Sequence, residues 1–232
     1  MGKFNFSHLC FFAISTAFII ASQQVSACNN NKIVVAGGNF PPYSYIDHRS
    51  KKCVGRLFDE IEPILGEIGY EIKAVCAPPA RLYHMMDLGH IDLTVNLKTT
   101  SQLNEHVTFS SQKISEISLS LYRATNENKT KVIAGVRGYG YGGKRQLFID
   151  DGFVFIDFPD TASAARFFLS GRVGYLMAYD EPFDFYVNRR EFISKVAYQK
   201  SILSVEESFI AISNRSAAYE RLVSELSDYP KP

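Results

Sequence analysis

Apolar residues fall into short blocks along the chain, and the blocks alternate between the period of a strand and that of a helix. Residues 32–36 form a β-branched apolar run closed by Gly37-Gly38 and Pro41-Pro42, the pattern of a buried strand. After a polar turn at 47–52, Leu57, Ile61, Ile64, Leu65 and Ile68 recur at three- and four-residue intervals, which predicts a helix stopped by Gly69. Pro63 lies inside that pattern and is expected to kink the helix or delay its regular part. Residues 70–75 predict a second strand, Leu82, Met85 and Met86 a short helix closed by Gly89, and 91–95 a third strand.

A second unit of the same kind follows. It reads as a strand at 131–136, a glycine-rich turn, a helix near 144–149 and a strand at 153–157. A helix capped by Asp160 or Thr161 then runs through Leu169 to Gly171, before a strand at 173–178. A last strand at 207–212 precedes a helix with Tyr219, Leu222, Val223 and Leu226 on one face. Strand–helix alternation of this kind predicts parallel sheets with right-handed crossovers. The expected division is lobe 1 at 28–120, lobe 2 at 121–205, and a return strand and C-terminal helix at 206–232 packing back toward lobe 1. Two connections between lobes make a double-strand hinge, and the cleft between them is the expected ligand site.

The first 27 residues stand apart from this alternation. Lys3 precedes an almost wholly apolar stretch, 9–20, about a dozen residues and too short for a bilayer core of roughly 30 Å. Ser22-Gln23-Gln24 is polar, and Val25-Ser26-Ala27 fits cleavage after Ala27, so 1–27 is read as a signal peptide. Cys28 then becomes the first mature residue, and Val25-Ser26-Ala27-Cys28 also resembles a bacterial lipobox.

Composition adds mainly exclusions. A net charge of +1 with no Lys/Arg run gives no electrostatic case for nucleic acid. With 46% hydrophobic and 21% charged residues, the chain has the make-up of a folded domain rather than a disordered one. Cys10 leaves with the signal, so an odd number of cysteines remains. In a parallel sheet the start of the first helix and the end of the second strand share an edge. Cys53 and Cys76 occupy those places and are the expected disulfide. Cys28, before the first strand, is left free, lipidated or paired between molecules.

Candidate ligand contacts follow from the same edge rule. Tyr43 follows strand 1 and can stack on a flat or cationic ligand or simply pack. Arg81 opens the helix after strand 2 and can reach an anionic group or form a surface ion pair. Asn96 and Thr99 end strand 3 and offer neutral hydrogen bonds or loop caps. The stretch Gly135-Val136-Arg137-Gly138-Tyr139-Gly140-Tyr141-Gly142-Gly143 lets backbone approach a ligand or forms a mobile turn, and Arg137, Gly138 and Tyr139 are its candidates. Asp180, beside Glu181 at the end of a lobe 2 strand, is the candidate for a positive ligand group. His84 and His90 lack metal-ligand spacing, and no nucleophile motif is present. No catalytic residue, metal or cofactor is therefore expected.

These residues together resemble a family. Phe40-Pro41-Pro42-Tyr43-Ser44-Tyr45-Ile46-Asp47, Gly55 followed by Asp59, Arg81 through Gly89-His90-Ile91-Asp92-Leu93, and Phe109-Ser110 resemble motifs of bacterial extracellular solute-binding proteins of family 3. Ser170-Gly171-Arg172-Val173-Gly174-Tyr175 and Ser208-Phe209-Ile210-Ala211-Ile212 resemble its second-lobe and return-strand motifs, in the family's order. The resemblance implies a type II periplasmic-binding-protein-like α/β fold of two lobes. It also implies a periplasmic location, monomeric capture of a small-molecule ligand such as an amino acid, and delivery to a membrane permease or sensor. One departure is sharp. The family's Thr-x-Thr-x-x-Arg, whose Arg forks onto a ligand carboxylate, reads here Lys98-Thr99-Thr100-Ser101-Gln102-Leu103, placing Leu103 at the Arg position. Lys98 or Arg81 would replace it only with a different geometry, and Tyr179 competes by one place with Asp180 as the counterpart of the family Asp. Two rival readings use the same scaffold: a dehydratase-like enzyme with Asp180 or Glu181 as acid or base, and a stand-alone ligand-sensing module. Intact mass of the protein isolated from its own cell envelope is expected to give a chain beginning at Cys28, with or without lipid. A chain retaining Met1 would contradict the export reading.

Overall fold

The structure, a computed structural model, describes residues 31–100, 102–103, 105–125, 130–188 and 194–227. The expected signal segment and Cys28 lie outside the described residues. In chain order the elements are β1 (Lys32–Gly37), β2 (Tyr45–Ile46), β3 (Cys53–Val54), α1 (Arg56–Glu67), β4 (Glu71–Cys76), α2 (Pro79–Asp87), β5 (Leu93–Leu97) and β6 (Val107–Ala124). They continue as β7 (Val132–Val136), α3 (Lys144–Asp150), β8 (Val154–Phe158), α4 (Thr161–Leu169), β9 (Tyr175–Tyr179), α5 (Asp180–Val187), β10 (Tyr198–Ser213) and α6 (Tyr219–Leu226).

Eight strands form one sheet in the order β4-β1-β5-β10-β6-β9-β7-β8. At one end β1 lies parallel to β4 and β5, and at the other β7 lies parallel to β8 and β9. Two antiparallel strands join these halves. The last third of β10 pairs with β5 from Ser208 to Ile212, and the last third of β6 pairs with β9 from Leu119 to Arg123. On their other edges β6 and β10 pair with each other along their whole length, from Tyr198 opposite Ala124 to Ser213 opposite Val107. The result is a two-lobed α/β fold of the periplasmic-binding-protein type, its lobes linked through a two-stranded ribbon.

Hydrophobic burial follows the predicted helix faces. Leu57, Phe58, Ile61, Ile64 and Leu65 of α1 meet Ile33 and Val35 of β1, Ile210 of β10, and Leu222 and Leu226 of α6. The C-terminal helix thus packs on the lobe that the chain left at β6. Lobe 2 has its own core of Ala164, Ala165 and Phe168 from α4, Leu176 from β9, Phe183 from α5 and Tyr122 from β6. Pro63 sits on the exposed side of α1, and the helix runs through it to Glu67. The carbonyl that loses its intrahelical partner there belongs to exposed Asp59 and can turn to water. Gly55 precedes α1 at φ 134°, and a Cβ there would lie 2.4 Å from the Tyr43 carbonyl oxygen, so only glycine closes this turn. Asp160 caps α4, its carboxylate accepting from the Ser163 N–H at 2.7 Å.

Two expectations change. The strand expected at 207–212 is the end of a much longer one, the 16-residue β10, and its 18-residue partner β6 was not expected as a strand. The middle of β6, 111–116, and the first part of β10, 198–207, are largely solvent-facing and polar, so periodicity does not mark them, yet both are paired along the ribbon. Asp180 and Glu181, expected on a strand end, open α5 instead. Acidic residues in a first turn followed by Pro182 suit a helix start.

Cys53 and Cys76 form a disulfide with Cα atoms 5.3 Å apart, joining the entry of α1 to the end of β4. It closes a loop of sequence separation 23. Replacing both cysteines by serine is expected to lower stability by about 2–4 kcal/mol in urea denaturation while leaving the far-ultraviolet spectrum unchanged. An unchanged midpoint would show that packing alone holds this corner.

Candidate functional site

A cavity of about 280 Å³ lies where the two lobes face each other over the ribbon. Lobe 1 contributes the turn after β1 with Phe40, Tyr43 and Ser44, Glu60 from α1, Tyr83 from α2, and the end of β5 with Asn96 and Thr99. Lobe 2 contributes the glycine-rich segment 138–143 and Tyr179. Ser115, Ile117 and Ser208 line it from the crossing strands.

Local chemistry holds each wall in place. The turn after β1 is pinned by Ser44, whose Oγ donates to the Gly38 carbonyl at 2.7 Å. A Cβ on Gly37 would come within 2.3 Å of the Ser44 Cβ, so glycine permits the approach. Asn96 Oδ1 accepts from Thr100 Oγ1 and from the Leu97 N–H, both at 2.8 Å, which fixes its amide plane. The Tyr83 phenol is pushed up by burial, with a hydrogen bond to Asn96 acting the other way.

The glycine-rich segment is an ordered turn. The Tyr141 hydroxyl accepts from the Val136 N–H at 2.8 Å. Arg145 grips the segment from behind, donating to the carbonyls of Tyr139 at 2.7 Å and Val136 at 2.8 Å and to Asp157 at 2.8 Å. Rings fill much of the wall: Tyr139, Tyr141 and Tyr179 lie with centroids 5.6–6.3 Å apart. Phe40 meets the Tyr179 edge across the cleft at 5.4 Å and stacks on Tyr43 at 5.6 Å. Burial pushes the phenols of Tyr139, Tyr141 and Tyr179 far above their usual range, so they stay protonated at physiological pH.

Arg56 bridges the cleft mouth. Its Nε lies 3.3 Å from Glu60 on its own helix, and its Nη2 lies 3.1 Å from Glu181 at the start of α5 in the other lobe. Its guanidinium also sits 4.3 Å above the Tyr43 ring. Burial, and then the neighbouring Glu181 carboxylate, push the Tyr43 phenol up; the hydroxyl lies near Glu181 without a well-formed hydrogen bond. Partial burial raises the Glu60 pKa, Arg56 opposes that, and Glu181 adds to it. Two carboxylates therefore share one guanidinium.

Of the residues singled out in the sequence, Tyr43, Asn96, Thr99, Gly138 and Tyr139 come together on this cavity. Arg81 and Arg137 are exposed and stand outside its lining. Asp180 also stands outside it, 8% exposed, accepting from the Tyr122 hydroxyl at 2.7 Å and the Lys200 ammonium at 2.8 Å. Its neighbour Tyr179 lines the cavity instead. Leu103 is fully buried against Leu82, Met86 and Val107, and Lys98 lies over the Phe209 ring at 3.7 Å, so neither faces the cleft. Glu60 and Arg56 were missed. Their four-residue spacing at a helix start was the available signal. Among the described residues, no group of three His, Cys, Asp or Glu side chains is placed to hold a metal ion.

Arg56 and Glu181 are each more than 40% exposed. A double-mutant cycle with Arg56→Ala and Glu181→Ala is expected to give a coupling below about 1 kcal/mol in global stability. The same variants are expected to widen the ligand-free molecule in small-angle scattering. A coupling of several kcal/mol, or unchanged scattering, would contradict a weak latch at the mouth.

No protein-family model and no curated protein sequence matches the chain. Solved structures do. The arginine-bound form of truncated ArgBP from T. maritima is 18% identical with a TM-score of 0.65, over 85% of this chain and 93% of that one. The GluR0 ligand-binding core in complex with L-glutamate is 14% identical with a TM-score of 0.66, over 84% and 89%. The BvgS VFT2 domain of Bordetella pertussis is 14% identical with a TM-score of 0.68, over 85% of each chain. At these identities the likeness establishes the fold.

Proposed function

We propose that this chain is a periplasmic solute-binding protein of the family 3 kind, closing its lobes on a small molecule without transforming it. The observation that carries this reading is the cavity itself: one space with walls from both lobes and a floor from both crossing strands. A ligand there touches both lobes only when they close, so binding favours the closed state. The division into 28–120, 121–205 and 206–232 belongs to the same proposal, the ribbon serving as hinge.

Tyr43, Asn96, Thr99, Gly138 and Tyr139 are the proposed ligand contacts. Arg81, Arg137 and Asp180 are left out of that set because they stand outside the lining. The carboxylates that an enzymatic reading requires are engaged elsewhere, Asp180 by Lys200 and Tyr122 and Glu181 by Arg56. An arginine-binding protein and a histidine kinase sensor domain both stand among the similar folds, which supports a permease or a membrane sensor as the reader of the closed form.

Isothermal titration and thermal unfolding against amino acids, amines and organic acids test the proposal. A ligand at a hundred times its Kd is expected to stabilise the protein by about 2.7 kcal/mol. Asn96→Ala and Tyr139→Ala are expected to weaken binding by about ten-fold each, a loss of ~1.4 kcal/mol, with Arg81→Ala unchanged. Folded protein that responds to no compound in a broad panel would overturn it.

A further inference from the structure

The cavity is asymmetric in charge. Among the described residues that line it, Glu60 is the only one with a formal charge. The nearest cation, Arg56, is held between Glu60 and Glu181 and lies over the Tyr43 ring, so the three groups together carry one net negative charge. Arg81, Arg137 and Lys98 stand outside the lining, Arg145 is bound to Asp157 and two carbonyls behind the glycine-rich segment, and Lys200 to Asp180.

Several of the neutral donors on the lining are already engaged. The N–H groups of Tyr139 and Gly143 are donated within the turn, to Val136 and Gly140 carbonyls at 3.2 and 3.1 Å. The Ser115 and Ser208 hydroxyls are hydrogen-bonded to each other at 2.7 Å. What faces the space is ring surface from Phe40, Tyr43, Tyr139, Tyr141 and Tyr179, the neutral polar groups of Asn96 and Thr99, and one carboxylate, with no cation among the described lining residues. Aromatic faces attract cations through their quadrupole, and the attraction grows when water is excluded. An anion entering the same space would meet a carboxylate, lose its hydration and gain no counter-charge.

We infer that the ligand is an organic cation without a carboxylate: a compact ammonium or amidinium head seated among the tyrosine rings, with Glu60 as its counter-charge. This rests on the capture reading above and narrows it, since a free α-amino acid carries an anionic group for which the described lining holds no counter-charge.

The test compares ligands that share a shape and differ in charge, by isothermal titration on the full mature chain. Choline is set against its neutral isostere 3,3-dimethyl-1-butanol and against glycine betaine, which adds a carboxylate. Phenethylamine is set against phenylalanine. In at least one series the cation is expected to bind about ten-fold tighter than both its neutral and its zwitterionic counterparts. Glu60→Gln is expected to reduce that preference to about three-fold or less, with the neutral compound unaffected, and Tyr139→Leu to weaken the cation while Tyr139→Phe retains it. Circular dichroism confirms that each variant is folded. Equal or tighter binding of the zwitterion or neutral compound overturns the inference and leaves the capture reading standing. So does tight binding of some other carboxylate with no response to any cation. Silence of the folded protein toward every charge class overturns the capture reading itself.

Discussion

The backbone ladder between β6 and β10 is the constraint on which the rest depends. It carries the chain from one lobe to the other and back, and a strand of 18 residues reaches about 60 Å, enough to serve both. Each end of the ribbon pairs antiparallel with the edge of a parallel set of strands that has its own apolar core, so the two lobes share two strands. Register shifts in β10 between Ile202 and Ser204 and again near Phe209 break the regular ladder inside the ribbon. Such bulges bend a strand locally. The cavity sits directly on this ribbon, with Ser115 and Ser208 in its floor.

On that frame the two lobes divide the chemistry. Lobe 1 supplies the polar groups fixed by their own neighbours, Asn96 through Thr100 and Ser44 through Gly38. Lobe 2 supplies rings, carried on a turn that Arg145 braces from behind. Apart from Glu60, the described lining carries no charge. Asp180 is neutralised within lobe 2, and Leu103 has become part of the lobe 1 core. Restoring an arginine at 103 would therefore bury an unpaired cation rather than recreate a carboxylate fork. The pair across the mouth, Arg56 with Glu181, is exposed enough to be weak, which suits a cleft that has to open again.

Much of this was legible in the chain. The β-branched run at 32–36, the helical spacing from Leu57 to Ile68, and Gly69, Gly89 and Gly171 as stops all report burial or positive φ, which leave direct marks in sequence. The Cys53–Cys76 disulfide followed from which sheet edge each cysteine occupies. The middle of β6 and the first part of β10 were not legible, because most of their side chains face water while their backbones are paired. The site was read in part for a similar reason. Tyr43, Asn96 and Tyr139 sit at strand ends, where position along the sheet predicts the cleft. Asp180 looked like a ligand for a positive group because the sequence does not show Lys200, twenty residues later, reaching the same carboxylate. Glu60 looked like one more surface acid on α1, although its helix face turns it toward the cavity.

The account stands on a cleft that closes around a small organic cation. Native mass spectrometry of the protein, isolated without refolding from its own cell envelope, addresses this in one step. The account predicts a one-to-one complex that releases, on denaturation, a small amine or amidine without a carboxyl group. Release of an amino acid or an organic acid from the same complex would contradict it.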